Sequence, residues 1–129
     1  MSRKLVLLPV PITTARSLAT AFTTTPTVLS YQDNVAYQIN VTTSDSSGTF
    51  AVEASMDYEP GTSNNTSPAV AGSWAVLPLS GTPTVAGSSD TIAISLNQVP
   101  YKALRISYTP TVAGTGVVDI LIMAKTVGA

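Results

Sequence analysis

Apolar residues recur at every second position along this chain, and no run of helical length repeats at 3.6 residues. In "VAYQINV" the alternation puts Val35, Tyr37, Ile39 and Val41 on one face, against Ala36, Gln38 and Asn40. "FAVEASMDY" places Phe50, Val52, Ala54, Met56 and Tyr58 opposite Glu53, Ser55 and Asp57. "TIAISL" sends Ile92, Ile94 and Leu96 inward. "KALRISY" sends Leu104, Ile106 and Tyr108 inward, with Arg105 and Ser107 outward. Side chains of a strand alternate between faces, so each run predicts a strand with one buried side. "VVDILIMAK" differs, being apolar on both faces except at Asp119. It is expected to be buried on both sides, by its own sheet and by a partner.

Turn chemistry divides the runs. "SDSSG", ending at Gly48, reads as a hairpin turn between the first two strands. Gly114-Thr115-Gly116 reads as the turn of a closing hairpin, its glycines at positive φ. Pro60 to Ser73 is a longer polar loop, and "SGTPTVAGSSD" connects the Trp74 strand to the Ile92 strand. Several short strands with turns every ten or so residues predict a β-sandwich or barrel. The length of 129 residues suits one domain. The expectation is an all-β chain: a single antiparallel β-sandwich, jelly-roll-like, over residues 31–129, with an extended N-terminal arm over 1–30.

That arm begins "MSRKLVLLPVPITTARSLATA", which has the outline of a secretory signal. Its apolar stretch, Leu5–Ile12, is short and interrupted by Pro9 and Pro11, which oppose the helix such a signal needs. It is expected instead to be an extended segment docked on a neighbour or on its own sheet, with the prolines at edge positions. Nothing approaches the ~20 apolar residues of a membrane-spanning helix.

Charged residues make up 10% of the chain, and their place is taken by 15 Ser and 19 Thr. With a mean hydropathy of +0.30, so neutral an exterior favours assembly over a free monomer. The net charge of −1 is zoned. Arg3, Lys4 and Arg16 stand alone in residues 1–16; six acids and no base fill 17–90; Lys102, Arg105 and Lys125 outweigh Asp119 in 91–129. Such zoning suits complementarity between neighbouring subunits. No basic cluster is dense enough for nucleic acid.

Histidine and cysteine are absent, which excludes Ser-His-Asp and Cys-His catalysis and thiolate metal sites. Glu53, Asp57 and Glu59 form the densest acid cluster, a candidate for glycoside hydrolysis or calcium. No calcium-loop spacing accompanies it, and a solvated strand face accounts for it better. Trp74 and the tyrosines invite a sugar platform, although aromatics at strand positions mostly fill cores. Arg105 is the most informative charge. It either clamps a carboxylate, in its own sheet or a neighbour's, or lies exposed over apolar surface. No catalytic residue, metal ligand or cofactor site is expected.

"GTFAVEASMDY", "SWAVLPL" and "YKALRISYTPTVAGTGVVDILIMAK" together resemble a small β-sandwich module of tailed-bacteriophage virion proteins. The matching elements are Gly48-Thr49, Ser55-Met56-Asp57, Trp74 to Leu77, Tyr101, Arg105 to Tyr108, Gly114 to Gly116 and Lys125. They span about residues 35–125 and leave the arm outside. The resemblance implies a non-enzymatic structural role in the virion, assembled in the host cytoplasm and not secreted. A head decoration or cement protein is the leading expectation. It would be a homo-oligomer, a trimer by preference, bound to the major capsid protein, with no nucleic acid or membrane as partner. Neck, tail or fibre placement and a carbohydrate- or receptor-binding module are the alternatives. Candidate contact residues are Leu5, Val6, Leu7, Leu8, Arg105 and Lys125.

Overall fold

The computed structural model describes residues 6–29, 33–62, 67–97 and 99–125, with Val6, Leu7 and Leu8 in backbone only. Ten strands follow one another: β1 (Val6–Ser17), β2 (Phe22–Thr23), β3 (Thr27–Val28), β4 (Asn34–Thr42) and β5 (Ser47–Ser55). They continue with β6 (Ala75–Val76), β7 (Thr84–Ala86), β8 (Asp90–Leu96), β9 (Ala103–Val112) and β10 (Val117–Lys125). One sheet has the order β1-β10-β4-β8. The other runs β2-β9-β5-β6, with β3 also on β9 and β7 also on β5. All pairings are antiparallel.

Two short strands share the outer side of β9, and two share the outer side of β5. Counting each pair as one position gives eight positions, ordered 1-8-3-6 in one sheet and 2-7-4-5 in the other. That is the winding of a jelly roll, a double-sheet sandwich of two Greek keys.

The core lies between the sheets. β4 contributes Val35, Tyr37, Ile39 and Val41; β10 contributes Val118, Ile120, Ile122 and Ala124. From the other sheet come Phe50, Val52 and Ala54 on β5 and Leu104, Ile106 and Tyr108 on β9. Period-two alternation identified these faces correctly because each sheet buries one side only. Full burial of each large apolar side chain contributes roughly 1.5–3 kcal/mol. Phe22, Phe50 and Tyr108 meet ring to ring, with centroids 5.5 Å and 4.8 Å apart.

Four expectations are refined. First, of the segment 1–30 expected as an extended arm, the described residues 6–29 carry strands upon the sandwich: β1 pairs with β10, and β2 and β3 pair with β9. Of the two dockings expected, the one on its own sheet is present. Second, β10 is buried on one face by its own chain, whereas on the face expected to meet a partner Val117 and Leu121 are half-buried and Met123 is exposed. Third, the alternation fails after Ser55, and Met56 is 67% exposed. The strand ends there because the Ser55 hydroxyl accepts the N–H groups of Asp57 and Tyr58 and turns the chain.

The fourth concerns the two hairpins. β4 and β5 lie in different sheets, as do β9 and β10, so residues 43–46 and 113–116 are arches crossing from sheet to sheet. The loops 18–21 and 87–89 cross as well. These four arches bind one another. Asp45 accepts the Thr115 N–H at 3.0 Å, and buried Ser46 accepts the Gly116 N–H at 3.1 Å. The Gly116 carbonyl accepts the Leu18 N–H, and the Ser46 carbonyl accepts the Gly87 N–H. The Ser89 hydroxyl accepts from the Thr43 N–H and donates to the Thr43 carbonyl. Glycine is required at 114 and 116 by this close approach and not by positive φ, which neither adopts. A Cβ on Gly114 would lie 2.5 Å from Asp45 Oδ1 and from Ser46 Oγ.

Candidate functional site

The outer face of the β2-β9-β5-β6 sheet carries Arg105 and Glu53, directly opposed on β9 and β5. Arg105 Nε donates to Glu53 Oε1 at 2.6 Å, and both side chains are largely shielded. The Trp74 ring lies over the guanidinium, 4.2 Å from its centroid, and the indole N–H donates to the Ala71 carbonyl at 3.0 Å. Tyr58 packs against Trp74 from the side, 5.7 Å between centroids. The arginine therefore clamps a carboxylate in its own sheet, one of the two placements the sequence left open.

The remaining acids of the cluster are held separately. Lys102 donates to Glu59. Asp57 accepts the Ser73 N–H at 2.8 Å and the Ser55 hydroxyl at 2.8 Å. The Ser73 N–H, then the Ser55 hydroxyl, hold its carboxyl below the usual aspartate range. The acids of the middle zone thus meet bases of the last zone within one chain, which accounts for part of the charge zoning without a second subunit. Asp119, the one acid of β10, accepts the Ala15 N–H at 2.7 Å and pins an irregular turn of β1. Among the described residues no group of three or more acids, histidines or cysteines has the arrangement to hold a metal ion.

The other candidate contacts lie at the sheet edge. Lys125 ends β10, exposed, in register with Val6 and Asn34. Val6, Leu7 and Leu8 open β1, and Leu5 lies outside the described residues. Arg105 sits in the opposite sheet from β1 and Lys125.

Sequence reasoning missed a groove beside β8. This groove of about 580 Å³ is lined by β8, the segment 77–83 and Val99, Pro100 and Tyr101. Leu77, Leu79, Ile92, Leu96 and Tyr101 line it and are only partly buried. Every residue from Ile92 to Asn97 lines it, although alternate side chains point to opposite faces. The groove therefore follows the backbone edge of β8. Its sequence signal was the lack of any strand-like run between Pro78 and Pro83 to cover that edge.

A second feature is the outer face of the β1-β10-β4-β8 sheet. Ala36, Gln38, Thr42, Thr91, Ala93, Ser95 and Met123 are exposed there, and among the described residues its charges are Asp119 and Lys125, near opposite ends of β10. No helix among the described residues is long and apolar enough to cross a membrane. No protein-family model matches the chain, and no curated protein matches it.

Proposed function

We propose that this chain is a structural protein of a tailed-bacteriophage virion, a head decoration or cement protein that stabilises the shell by bridging major capsid subunits. The observation that carries the reading is the winding. A jelly roll is a recurrent architecture of virus shells, and the argument is one of fold analogy joined to the motif resemblance over residues 35–125. Two features support it. The outer face of one sheet is nearly uncharged among the described residues, which suits contact with a protein surface. The charges of the other sheet are engaged with one another in Arg105–Glu53 and Lys102–Glu59.

The role is non-enzymatic, and its partners are other copies of itself and the major capsid protein. The glycan-platform reading is weakened because Trp74 is committed to Arg105 and to Ala71. High-resolution imaging of the intact particle tests the proposal. The chain is expected on the head surface at a copy number near that of the shell subunit. A handful of copies at the neck or tail would replace this reading with the neck, tail or fibre alternative. Absence from the particle, with binding on a glycan array, would replace it with a receptor-binding module.

A further inference from the structure

The two ends of the β1-β10-β4-β8 sheet differ in a way that assigns one of them a partner. β1 has the marks of an edge guarded against pairing. It carries Pro9 and Pro11, Arg16, three register shifts against β10, and Ala15 at φ +49. Proline lacks the donor a ladder needs, and bulges turn an edge away from an approaching strand.

β8 has none of these. Its sequence DTIAISL contains no proline, glycine or lysine, and it pairs with β4 over seven consecutive positions without a shift. No described strand occupies its other side. The groove runs along that free backbone, and its apolar lining is half exposed. A long, regular edge with its one charge at the first residue is a template for another strand.

We propose that β8 pairs antiparallel with β8 of a second copy of this chain, joining two four-stranded sheets into one eight-stranded sheet. The strand is self-complementary. Antiparallel neighbours present opposed residues on the same face. With the two-fold axis at Ala93, Ile92 of one copy faces Ile94 of the other, while Ala93 faces its own counterpart and Thr91 faces Ser95 on the uncharged outer face. The one charge, Asp90, opens the strand. An antiparallel pair keeps the two carboxylates at opposite ends, roughly 20 Å apart for a strand of this length. The guarded β1 edge disfavours the head-to-tail alternative, β8 on β1, which would grow without closing. A two-fold pair closes at two copies. It also brings the two grooves together, so that Leu77, Leu79 and Tyr101 of each are covered. The inference stands on the edge alone and does not depend on a virion role.

Light scattering of the purified chain across a concentration series tests it. The wild type is expected to be dimeric. Ala93→Lys and Ala93→Glu, each on the exposed outer face, are expected to be folded monomers where the wild type is a dimer. Mixing the two variants is expected to restore dimers, because opposite charges then face each other across the axis. The chain has no cysteine, so Ala93→Cys gives a clean second reading as a disulfide-linked dimer on mild oxidation. A monomer at every concentration overturns the proposal, as does a trimer, a ladder of larger sizes, or a dimer that Ala93→Lys leaves intact.

Discussion

Glu53 and Arg105 stand opposite each other across β5 and β9, joined at 2.6 Å and roofed by Trp74. The pair is shielded enough that water does not fully compensate either charge left alone. Glu53→Ala should therefore cost about 1–3 kcal/mol, in the range of a charged hydrogen bond removed from a partly buried site. Trp74→Ala should cost about 0.5–2 kcal/mol from the lost cation–π contact alone, with lost packing added to it. Urea denaturation of the single variants and of Glu53→Ala/Arg105→Ala gives the coupling energy. A coupling near zero would mean that the pair is ornamental.

The arches make a prediction about burial. Ser46 is fully buried and is the acceptor for the Gly116 N–H, whereas Asp45 is exposed and accepts the Thr115 N–H. Ser46→Ala leaves a buried donor without a partner, a loss of about 1–3 kcal/mol. Asp45→Ala leaves a donor that water can reach, so its cost should fall below about 1 kcal/mol. Chemical denaturation orders the two. If Asp45→Ala is the more damaging, the hydrogen bonds between arches are not what hold this end of the sandwich shut.

Glycines give a contrast between two loci. A Cβ at Gly48 would strike the Tyr108 hydroxyl and approach the Thr109 carbonyl oxygen to 2.7 Å. The second contact is backbone, so Tyr108→Phe should not rescue Gly48→Ala. At Gly81 nothing lies within 4 Å and φ is not positive. Gly81→Ala should be neutral, or stabilising by about 0.4–1 kcal/mol through the unfolded chain. Thermal melts of the three variants decide it; a folded, wild-type-like Gly48→Ala would show that β5 and β9 can part at that point.

Tyr37 is buried in the core, and its hydroxyl has no hydrogen-bond partner among the described residues. Tyr37→Phe should stabilise the protein by about 1–2 kcal/mol by removing an unsatisfied polar atom. Burial also pushes the hydroxyl well above the ordinary value of 10.0. Above pH 10 an unfolded chain loses that proton while the folded one keeps it. The unfolded state then binds fewer protons, and stability falls as pH rises. Below that range the group contributes no pH dependence. Burial raises the Tyr108 hydroxyl in the same direction, so Tyr37→Phe should flatten the alkaline decline without abolishing it. Denaturant midpoints from pH 8 to 11 test both parts, and an unchanged slope in Tyr37→Phe would rule out Tyr37 as a source.

The pattern of residues revealed which side chains of β4, β5, β8 and β9 face inward, because one buried face imposes a period of two that is written locally. It did not reveal partners. A Gly-Ser-Asp loop has the same composition whether it joins neighbours in one sheet or crosses between two, so the arches at 43–46 and 113–116 read as hairpins. What distinguishes them is contact between Ser46 and Gly116, 70 positions apart. Arg105 was legible as a clamp, but its carboxylate lies 52 positions away and its aromatic roof on a third segment. The groove was not legible because it is defined by the strand missing from one edge of a sheet. β1 escaped notice because its bulges break the alternation by which strands are found.

Those bulges set the last prediction. Ala15 holds a left-handed backbone at φ +49, a conformation that costs an L-residue about 1–2 kcal/mol relative to glycine. Its N–H is fixed by Asp119 on the neighbouring strand. Ala15→Gly should relieve the strain and raise stability, and Asp119→Ala should lower it by freeing the bulge. Removing residues 2–16 altogether would strip β10 of its neighbour from Lys125 back to Val118. β10 supplies four buried residues to the core and would become a bare edge. The truncated chain is expected to aggregate or melt far below the full-length protein, with amide exchange in β10 the first to accelerate. A truncated chain that melts like the full-length one would show that the β1–β10 pairing adds nothing to the stability of the sandwich.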